Sequence, residues 1–119
     1  MGLIEELNAN CDFDEAGTFE RFMGKQDLVE QFLLMFLDDP SKNGLVEAYE
    51  KGDVSMARQC SHSLKGVAAN MGLMGLSNAA KDLQFAYDDG KTDVANLYEK
   101  VILEYEKSVK IISSHLKMQ

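Results

Sequence analysis

The stretch S-H-S-L-K-G-V-A-A-N-M-G, from Ser61 to Gly72, decides how this chain is organised. On a helix running from about Val54 to Met71, the apolar residues recur at the i, i+3, i+4, i+7 spacing of a buried face. These residues are Ala57, Cys60, Leu64, Val67, Ala68 and Met71. His62 falls about 160° from Leu64 around such a helix, so the sequence predicts a histidine that points to solvent.

The predicted outer face around this histidine carries basic, polar and small residues: Ser55, Arg58, Gln59, Lys65, Gly66 and Ala69. A glycine inside a helix costs about 1 kcal/mol relative to alanine, so Gly66 needs a reason. One reason is room for a partner beside His62, and the other is close packing of a second helix. Spacing alone leaves both open. A single surface histidine is usually incidental, and it is the combination that marks a candidate site.

The rest of the chain is predicted to be helical, since no stretch alternates with period two. Short turns rich in Gly and Asp separate four substantial helical segments. We therefore expect an all-α, up-down-up-down antiparallel four-helix bundle with a short extra N-terminal helix. In the helix that follows the His62 helix, the expected buried positions are Leu76, Ala79, Ala80, Leu83, Ala86 and Tyr87. In the last helix they are Val94, Leu97, Val101, Tyr105, Ile112 and Leu116.

Local signals predict where the elements begin and end. Residues 1–10 are expected to be a short amphipathic lead-in with the character of a frayed turn, and residues 11–117 a single domain. Asp12 is the expected N-cap of the short extra helix, with Glu15 at capping-box spacing. Thr92 or Asp93 is expected to cap the last helix. Asp38-Asp39-Pro40 should interrupt the segment from about Gln26 to Lys51, either as a bend or as a break into two stacked helices.

Composition narrows the class of protein. A length of 119 residues suits one domain, and a formal net charge of −8 argues against nucleic acid or an anionic membrane as partner. Cys11 and Cys60 do not make a disulfide framework, which favours a reduced, cytoplasmic protein. The N-terminus lacks the apolar region of a signal peptide, and no apolar run approaches the roughly 18 residues that would span a bilayer.

The outer face could support phosphoryl chemistry. A neutral imidazole has a free nitrogen lone pair and can hold a phosphoryl group as a covalent intermediate. Gly66 and Ala69 would leave its approach clear, while Lys65 and Arg58 could balance the incoming negative charge. One ring nitrogen must also be tied down, and Gln84 on the following helix is placed to do so.

The same residues resemble the signature of histidine phosphotransfer (HPt) domains. In that signature Leu-Lys-Gly occupies the second to fourth positions after the histidine, small residues follow, and a glycine lies ten positions after the histidine. The matching residues here are His62, Leu64, Lys65, Gly66, Ala68, Ala69, Asn70 and Gly72. The stretch R-F-M-G-K-Q-D-L-V-E-Q-F-L-L-M-F, from Arg21 to Phe36, and the K-G-D turn before the helix are also similar, so the likeness covers roughly residues 11–117.

The resemblance implies a role for each matched position. His62 would be the phospho-accepting nucleophile, Lys65 would stabilise the phosphoryl charge, Gly66 would keep the approach clear, and Gln84 would orient the imidazole. The docking surface for the partner would include Leu73, Met74 and residues of the preceding bent helix, with Arg58 and Gln59 nearby. Ordinary packing explains Leu73 and Met74 equally well.

The resemblance also implies partners and limits. The chain would be a monomer that exchanges phosphoryl groups with receiver domains of response regulators or of hybrid sensor kinases. It would not be an enzyme by itself, because it has no phosphate-binding glycine loop and no evident acidic Mg²⁺ site, so the partner would bring the Mg²⁺. The cognate kinase and receivers, the direction of net transfer, the downstream response and whether the chain is free-standing or a module of a hybrid kinase stay open.

Other readings of the sequence are weaker. A di-iron site needs Glu-x-x-His pairs and zinc needs about four ligands, and neither His62 nor His115 belongs to such a set. A nucleophilic Cys60 is disfavoured because buried thiols are usually inert. A helical adaptor is the main rival, but it leaves Lys65 and Gly66 unexplained. The phospho-accepting module of a chemotaxis-type kinase is a further possibility within the family, although such modules normally belong to a much longer chain.

Overall fold

The computed structural model describes residues 2–116, and its regular elements over that range are all helices. The one β-type pairing there is an isolated bridge between Phe13 and Leu73. In chain order the helices are α1 (Leu3–Asn10), α2 (Glu15–Arg21), α3 (Gln26–Phe36), α4 (Ser41–Lys51), α5 (Val54–Asn70), α6 (Met74–Asp88) and α7 (Ala95–Leu116). The all-α prediction is confirmed, whereas the up-down-up-down bundle topology stays a prediction.

The core is built from one apolar stripe of each main helix. α5 packs against α4 on one side and α6 on the other, and α6 packs in turn against α7. The innermost side chains have no exposed surface; among them are Leu45 of α4, Leu64 of α5, Leu83 of α6 and Val101 of α7. α5, which carries His62, is therefore held between two neighbours along its length.

Helix α5 begins where the local sequence predicts. Gly52 adopts the left-handed conformation with φ of 70°, which suits glycine because it has no Cβ. The carboxylate of Asp53 then accepts a hydrogen bond from the Met56 N–H at 3.1 Å, as an N-cap does. Ala57, Leu64, Ala68 and Met71 of the predicted stripe are buried, and Cys60 and Val67 are half-buried. The helix predicted over residues 54–71 is confirmed to within one residue.

The C-terminal end of α5 is anchored by α2. Arg21 donates hydrogen bonds from Nε to the Asn70 carbonyl and from Nη2 to the Ala69 carbonyl, both at 3.1 Å. Gly72 follows with φ of 76°, and a Cβ on it would collide with the buried hydroxyl of Thr18. Both the backbone conformation and the space thus require glycine at this position.

The open question about the segment from Gln26 to Lys51 is answered by a break. α3 ends at Phe36 and α4 begins at Ser41, so there are two helices. Pro40 lies at the N-terminal edge of α4, where its missing N–H costs no hydrogen bond. The Asp39 carboxylate accepts from the Ser41 N–H at 2.8 Å and so satisfies a donor at the start of α4.

Two predicted helix caps were wrong. Asp14, not Asp12, caps α2, and its carboxylate accepts from the Gly17 N–H at 3.1 Å. The Asp14 N–H donates to the Gly72 carbonyl at 2.8 Å, so a tertiary contact sets where α2 begins. At the other cap, α7 starts at Ala95, and the buried Val94 immediately precedes it instead of Thr92 or Asp93.

The N-terminal segment is more ordered than predicted. Residues 3–10 form α1, which packs against α7, and Leu3 and Leu7 are buried. His115 of α7 also contacts the Glu6 carboxylate. The frayed-turn prediction is therefore wrong, although the segment is amphipathic as expected. The division into a lead-in and a domain of residues 11–117 stays a prediction, and its last residue lies outside the described range.

Among the helices of residues 2–116, none has both the length and the apolar character that crossing a bilayer requires.

Candidate functional site

His62 is exposed on α5, but one of its ring nitrogens is tied to the core. Nδ1 lies 3.1 Å from Oε1 of Gln84, a side chain on α6 that is 5% exposed. An amide oxygen can only accept a hydrogen bond, so in this arrangement Nδ1 carries the proton. In the neutral ring the lone pair is then on Nε2. The site thus presents an oriented imidazole whose unprotonated nitrogen is the one not bound to Gln84.

The hydrogen bonding continues beyond Gln84 to a pair of charged residues. Nε2 of Gln84 donates to Oδ2 of Asp88 at 3.4 Å, and Oδ1 of Asp88 accepts from Nε of Arg58 at 2.7 Å. The hydrogen bond from Arg58 lowers the pKa of the Asp88 carboxyl below its ordinary value. Four side chains on two helices are therefore linked, His62 to Gln84 to Asp88 to Arg58.

Small serine side chains lie between α5 and α6 and let the two helices pack closely. Each serine hydroxyl forms a hydrogen bond with a backbone carbonyl. Ser61 has no exposed surface, and its hydroxyl donates to the Ala57 carbonyl at 2.8 Å. The hydroxyl of Ser77 on α6 donates to the Lys65 carbonyl on α5 at 2.9 Å. This bond joins the two helices one turn from His62, and it holds α5 in the register that brings His62 opposite Gln84.

Gly66 lies in open space beside the histidine. A Cβ built on it would meet no other atom within 4 Å, so helix packing does not require a glycine there. Gly44 of α4 is the opposite case, because a Cβ on it would lie 2.9 Å from the sulfur of Cys60. Of the two explanations left open for Gly66, close packing is excluded and clearance beside His62 remains.

Lys65 is half-buried and lies one helical turn after His62. Between residues 2 and 116 its ammonium group forms neither an ion pair nor a hydrogen bond with another side chain. Ala69, one further turn along, is also half-buried and adds no bulk to this face. The face of α5 that carries His62 thus also carries the ammonium group of Lys65 and the small side chain of Ala69.

The predicted docking residues have different surroundings. Gln59 is exposed and Met74 is half-buried, so a partner could reach both. Leu73 has no exposed surface and pairs with Phe13, which makes it a core residue and corrects its assignment to the docking surface. Arg58 is bound to Asp88, which leaves its charge already matched.

Helix α3 exposes two apolar side chains that the sequence did not single out. Phe32 and Met35 are 36% and 57% exposed. They border a groove of about 230 Å³ that reaches Val67, Asn70 and Met71 at the end of α5. Phe32 also stacks on Phe22, with ring centroids 4.8 Å apart. The run Phe32 to Phe36 contains more apolar residues than one helix face can bury, which is the signal that could have revealed this patch.

The two rival chemistries gain nothing from the structure. Within residues 2–116, no group of three or more His, Cys, Asp or Glu side chains could hold a metal ion. Burial raises the pKa of Cys60, and the nearby charge of Asp53 raises it further. Burial also raises the pKa of Cys11. Both shifts disfavour the thiolate that a nucleophilic cysteine needs.

Comparison with known families identifies the class of protein. The model of the Hpt domain matches residues 27–106, well over half of the chain, and the matched range contains His62, Lys65, Gly66 and Gln84. The chain belongs to the Hpt domain family. Hpt domains are carriers in histidine phosphotransfer along phosphorelays, as distinct from kinases and phosphatases. Searches of curated proteins and of solved structures returned no match.

Proposed function

We propose that His62 of this chain accepts a phosphoryl group from the aspartate of a receiver domain, or from a kinase, and passes it to the aspartate of another receiver. The observation that carries the proposal is the arrangement of His62. Its ring is exposed, its Nδ1 is held by the buried Gln84, and the space beside it at Gly66 is open. A nucleophile that must meet a second protein needs both orientation and access.

The transfer step follows from the ring's protonation. The lone pair on Nε2 attacks the phosphorus of the donor's aspartyl phosphate, and a bond from nitrogen to phosphorus forms. The bond from phosphorus to the carboxylate oxygen breaks, and the aspartate leaves with that electron pair. The proton on Nδ1 stays in place, so the phosphorylated ring is first formed as a cation whose N–H donates to Gln84 more strongly. Transfer to the next receiver is the reverse of this step.

Lys65 is proposed to stabilise the negative charge of the phosphoryl group. Its ammonium group is a compact charge on a flexible stem, which suits a group that arrives and leaves. Gly66 and Ala69 are proposed to admit the loop of the receiver that carries its aspartate. Catalysis of the exchange, with its Mg²⁺, is assigned to the partner.

The proposed architecture is an up-down-up-down four-helix bundle. The packing of α4 on α5, α5 on α6 and α6 on α7 supports it, with α3 and α4 together forming the first arm and α1 and α2 as additions. The proposed partner surface surrounds His62 and includes Gln59, Met74 and the exposed Phe32 and Met35. We propose that the chain acts as a monomer in the cytoplasm and has no kinase or phosphatase activity of its own.

The test is phosphotransfer from a phosphorylated receiver domain in the presence of Mg²⁺. The wild type, His62→Gln and the matched control His115→Gln are compared after circular dichroism has shown that each is helical. The expected result is an acid-labile, base-stable phosphate on the wild type and on His115→Gln, and none on His62→Gln. Failure of the folded wild type to accept phosphate from any of several receivers would overturn the proposal in favour of a helical adaptor.

A further inference from the structure

We propose that Asp88, held by Arg58, is a positioning residue that determines which ring nitrogen of His62 is the nucleophile. It does so by fixing the orientation of the Gln84 amide. The consequence for transfer rests on the proposed function, whereas the effect on the ring itself can be measured without any phosphoryl group.

The amide of Gln84 could in principle face His62 in either of two ways. With its oxygen toward the ring, Nδ1 must carry the proton and Nε2 has the lone pair. With its NH₂ group toward the ring, Nδ1 must be the acceptor, and the proton moves to Nε2. The second arrangement would leave the outward nitrogen without a lone pair. Gln84 alone therefore does not select the reactive form of the ring.

Asp88 resolves this ambiguity because an ionised carboxylate only accepts hydrogen bonds. Its Oδ2 lies 3.4 Å from the amide nitrogen of Gln84, and only the NH₂ end of the amide can satisfy that contact. The amide oxygen is then directed to Nδ1 of His62 at 3.1 Å. Gln84 itself is 5% exposed, so its amide is held between the two helices, whereas His62 and Asp88 are exposed.

Arg58 keeps the Asp88 carboxylate ionised and holds it in position to accept a hydrogen bond from Gln84. Its Nε donates to Oδ1 at 2.7 Å, which occupies one carboxylate oxygen and leaves the other for Gln84. The same bond lowers the pKa of the Asp88 carboxyl, so the acceptor stays ionised near neutral pH. Arg58 precedes His62 by four residues, and Asp88 follows Gln84 by four. Residues at this spacing are neighbours on one helix face, so the four side chains lie together.

The two cations of α5 near His62 then have different roles. Arg58 and Lys65 lie on α5, four residues before and three residues after His62, and Asp88 on α6 is linked to the ring through Gln84. Arg58 is matched by Asp88, which leaves Lys65 as the cation for the phosphoryl group. Of the two cations that the sequence offered for the incoming charge, Lys65 therefore keeps that role and Arg58 does not.

The first experiment observes the ring nitrogens directly by ¹⁵N NMR of the unphosphorylated protein at about pH 8.5, roughly two units above the ordinary imidazole pKa. The variants are Asp88→Asn and the control Asp82→Asn, which makes the same charge change at an exposed position of α6. In Asp88→Asn, Arg58 can donate only to the asparagine oxygen, so the asparagine NH₂ turns toward Gln84 and reverses its amide. We expect Nδ1 to be protonated in the wild type and in Asp82→Asn, and the proton to shift toward Nε2 in Asp88→Asn. Unchanged nitrogen shifts in Asp88→Asn would overturn the proposal.

The second experiment measures phosphate acceptance from a phosphorylated receiver. Asp88→Asn should slow it by about three- to tenfold relative to Asp82→Asn, the effect of one misdirected hydrogen bond. Equal rates in the two variants would contradict the role in transfer. If the wild type accepts no phosphate while Asp88→Asn still shifts the ring proton, the proposed function fails and the positioning role stands. If the wild type accepts phosphate and the ring proton does not shift, the positioning role fails and the proposed function stands.

Discussion

Nδ1 of His62 on α5 lies 3.1 Å from Oε1 of Gln84 on α6, so an exposed ring is held by a buried side chain. The ring takes its orientation from the interface between two packed helices, where side chains have little freedom. Its other nitrogen is left for a partner. The predictions that follow test this division between a held nitrogen and a reactive one, together with the fold that supports it.

Gln84→Met should separate orientation from stability. Methionine has a similar length and suits a buried position, but it cannot accept a hydrogen bond from Nδ1. We expect the free energy of unfolding to change by less than about 1.5 kcal/mol, while phosphate acceptance slows by about tenfold. Urea denaturation and a transfer time course measure the two effects. A Gln84→Met protein that transfers at the wild-type rate would show that the hydrogen bond does not matter for the chemistry.

Gly66→Ala should improve the fold and impair the function. Alanine raises helix propensity by about 1 kcal/mol, and the added Cβ meets no other atom within 4 Å. We therefore expect a more stable protein in urea denaturation. Phosphate acceptance should nevertheless slow by roughly tenfold, because the methyl group would obstruct the approaching receiver.

Gly44→Ala is the matched control for that substitution. Its Cβ would lie 2.9 Å from the Cys60 sulfur, so the gain in helix propensity should be cancelled by the close contact. Transfer should be unaffected, since Gly44 belongs to α4 and does not lie on the face that carries His62. If Gly66→Ala transferred as fast as the wild type and as Gly44→Ala, clearance would not be the reason for the glycine.

Leu7→Ala tests whether α1 is part of the folded unit. Leu7 has no exposed surface where α1 packs on α7, so the truncation should lower the free energy of unfolding by about 2–4 kcal/mol. The neighbouring substitution Asn8→Ala removes only an exposed hydrogen bond to Glu15 and should change it by less than about 1 kcal/mol. Equal, small effects of both substitutions in urea denaturation would mean that α1 is not docked in solution.

Acid should weaken the bond between Arg58 and Asp88. The pKa of Asp88 is lowered in the folded protein, first by the hydrogen bond from Arg58. The bond therefore contributes stability above the unfolded-state pKa of about 3.9, and that contribution is lost as the pH falls through the lower folded-state value. The urea midpoints of the wild type and Asp88→Asn should differ at pH 7, and the difference should shrink as the pH falls through the lowered folded-state pKa of Asp88. A difference that stays constant with pH would contradict the assignment.

The parts of the fold that the sequence predicted well depend on neighbouring residues. Gly52 and Asp53 are typical helix-boundary residues and predict the start of α5. The spacing of the apolar residues after them predicts which face of α5 is buried. These signals act within one or two turns, where geometry follows from residue type. For the same reason His62 could be assigned to the outer face before its surroundings were known.

The parts that were missed depend on contacts between distant segments. Two aspartates near the start of α2 have the residue type of an N-cap, and a bond from Asp14 to Gly72 decides between them. The docking of α1 depends on a surface of α7 about a hundred residues away. The bond between Arg58 and Asp88 depends on the relative register of α5 and α6. The residue pattern within a single helix does not predict that register.

The measurement that tests the central claim most directly is NMR of the phosphorylated protein, with ¹⁵N-labelled histidine, to find which ring nitrogen is coupled to ³¹P. The account predicts that the coupled nitrogen is Nε2 of His62 and that Nδ1 still carries its proton. A phosphorus coupled to Nδ1 of His62, or a phosphoryl group on any other residue, would contradict it.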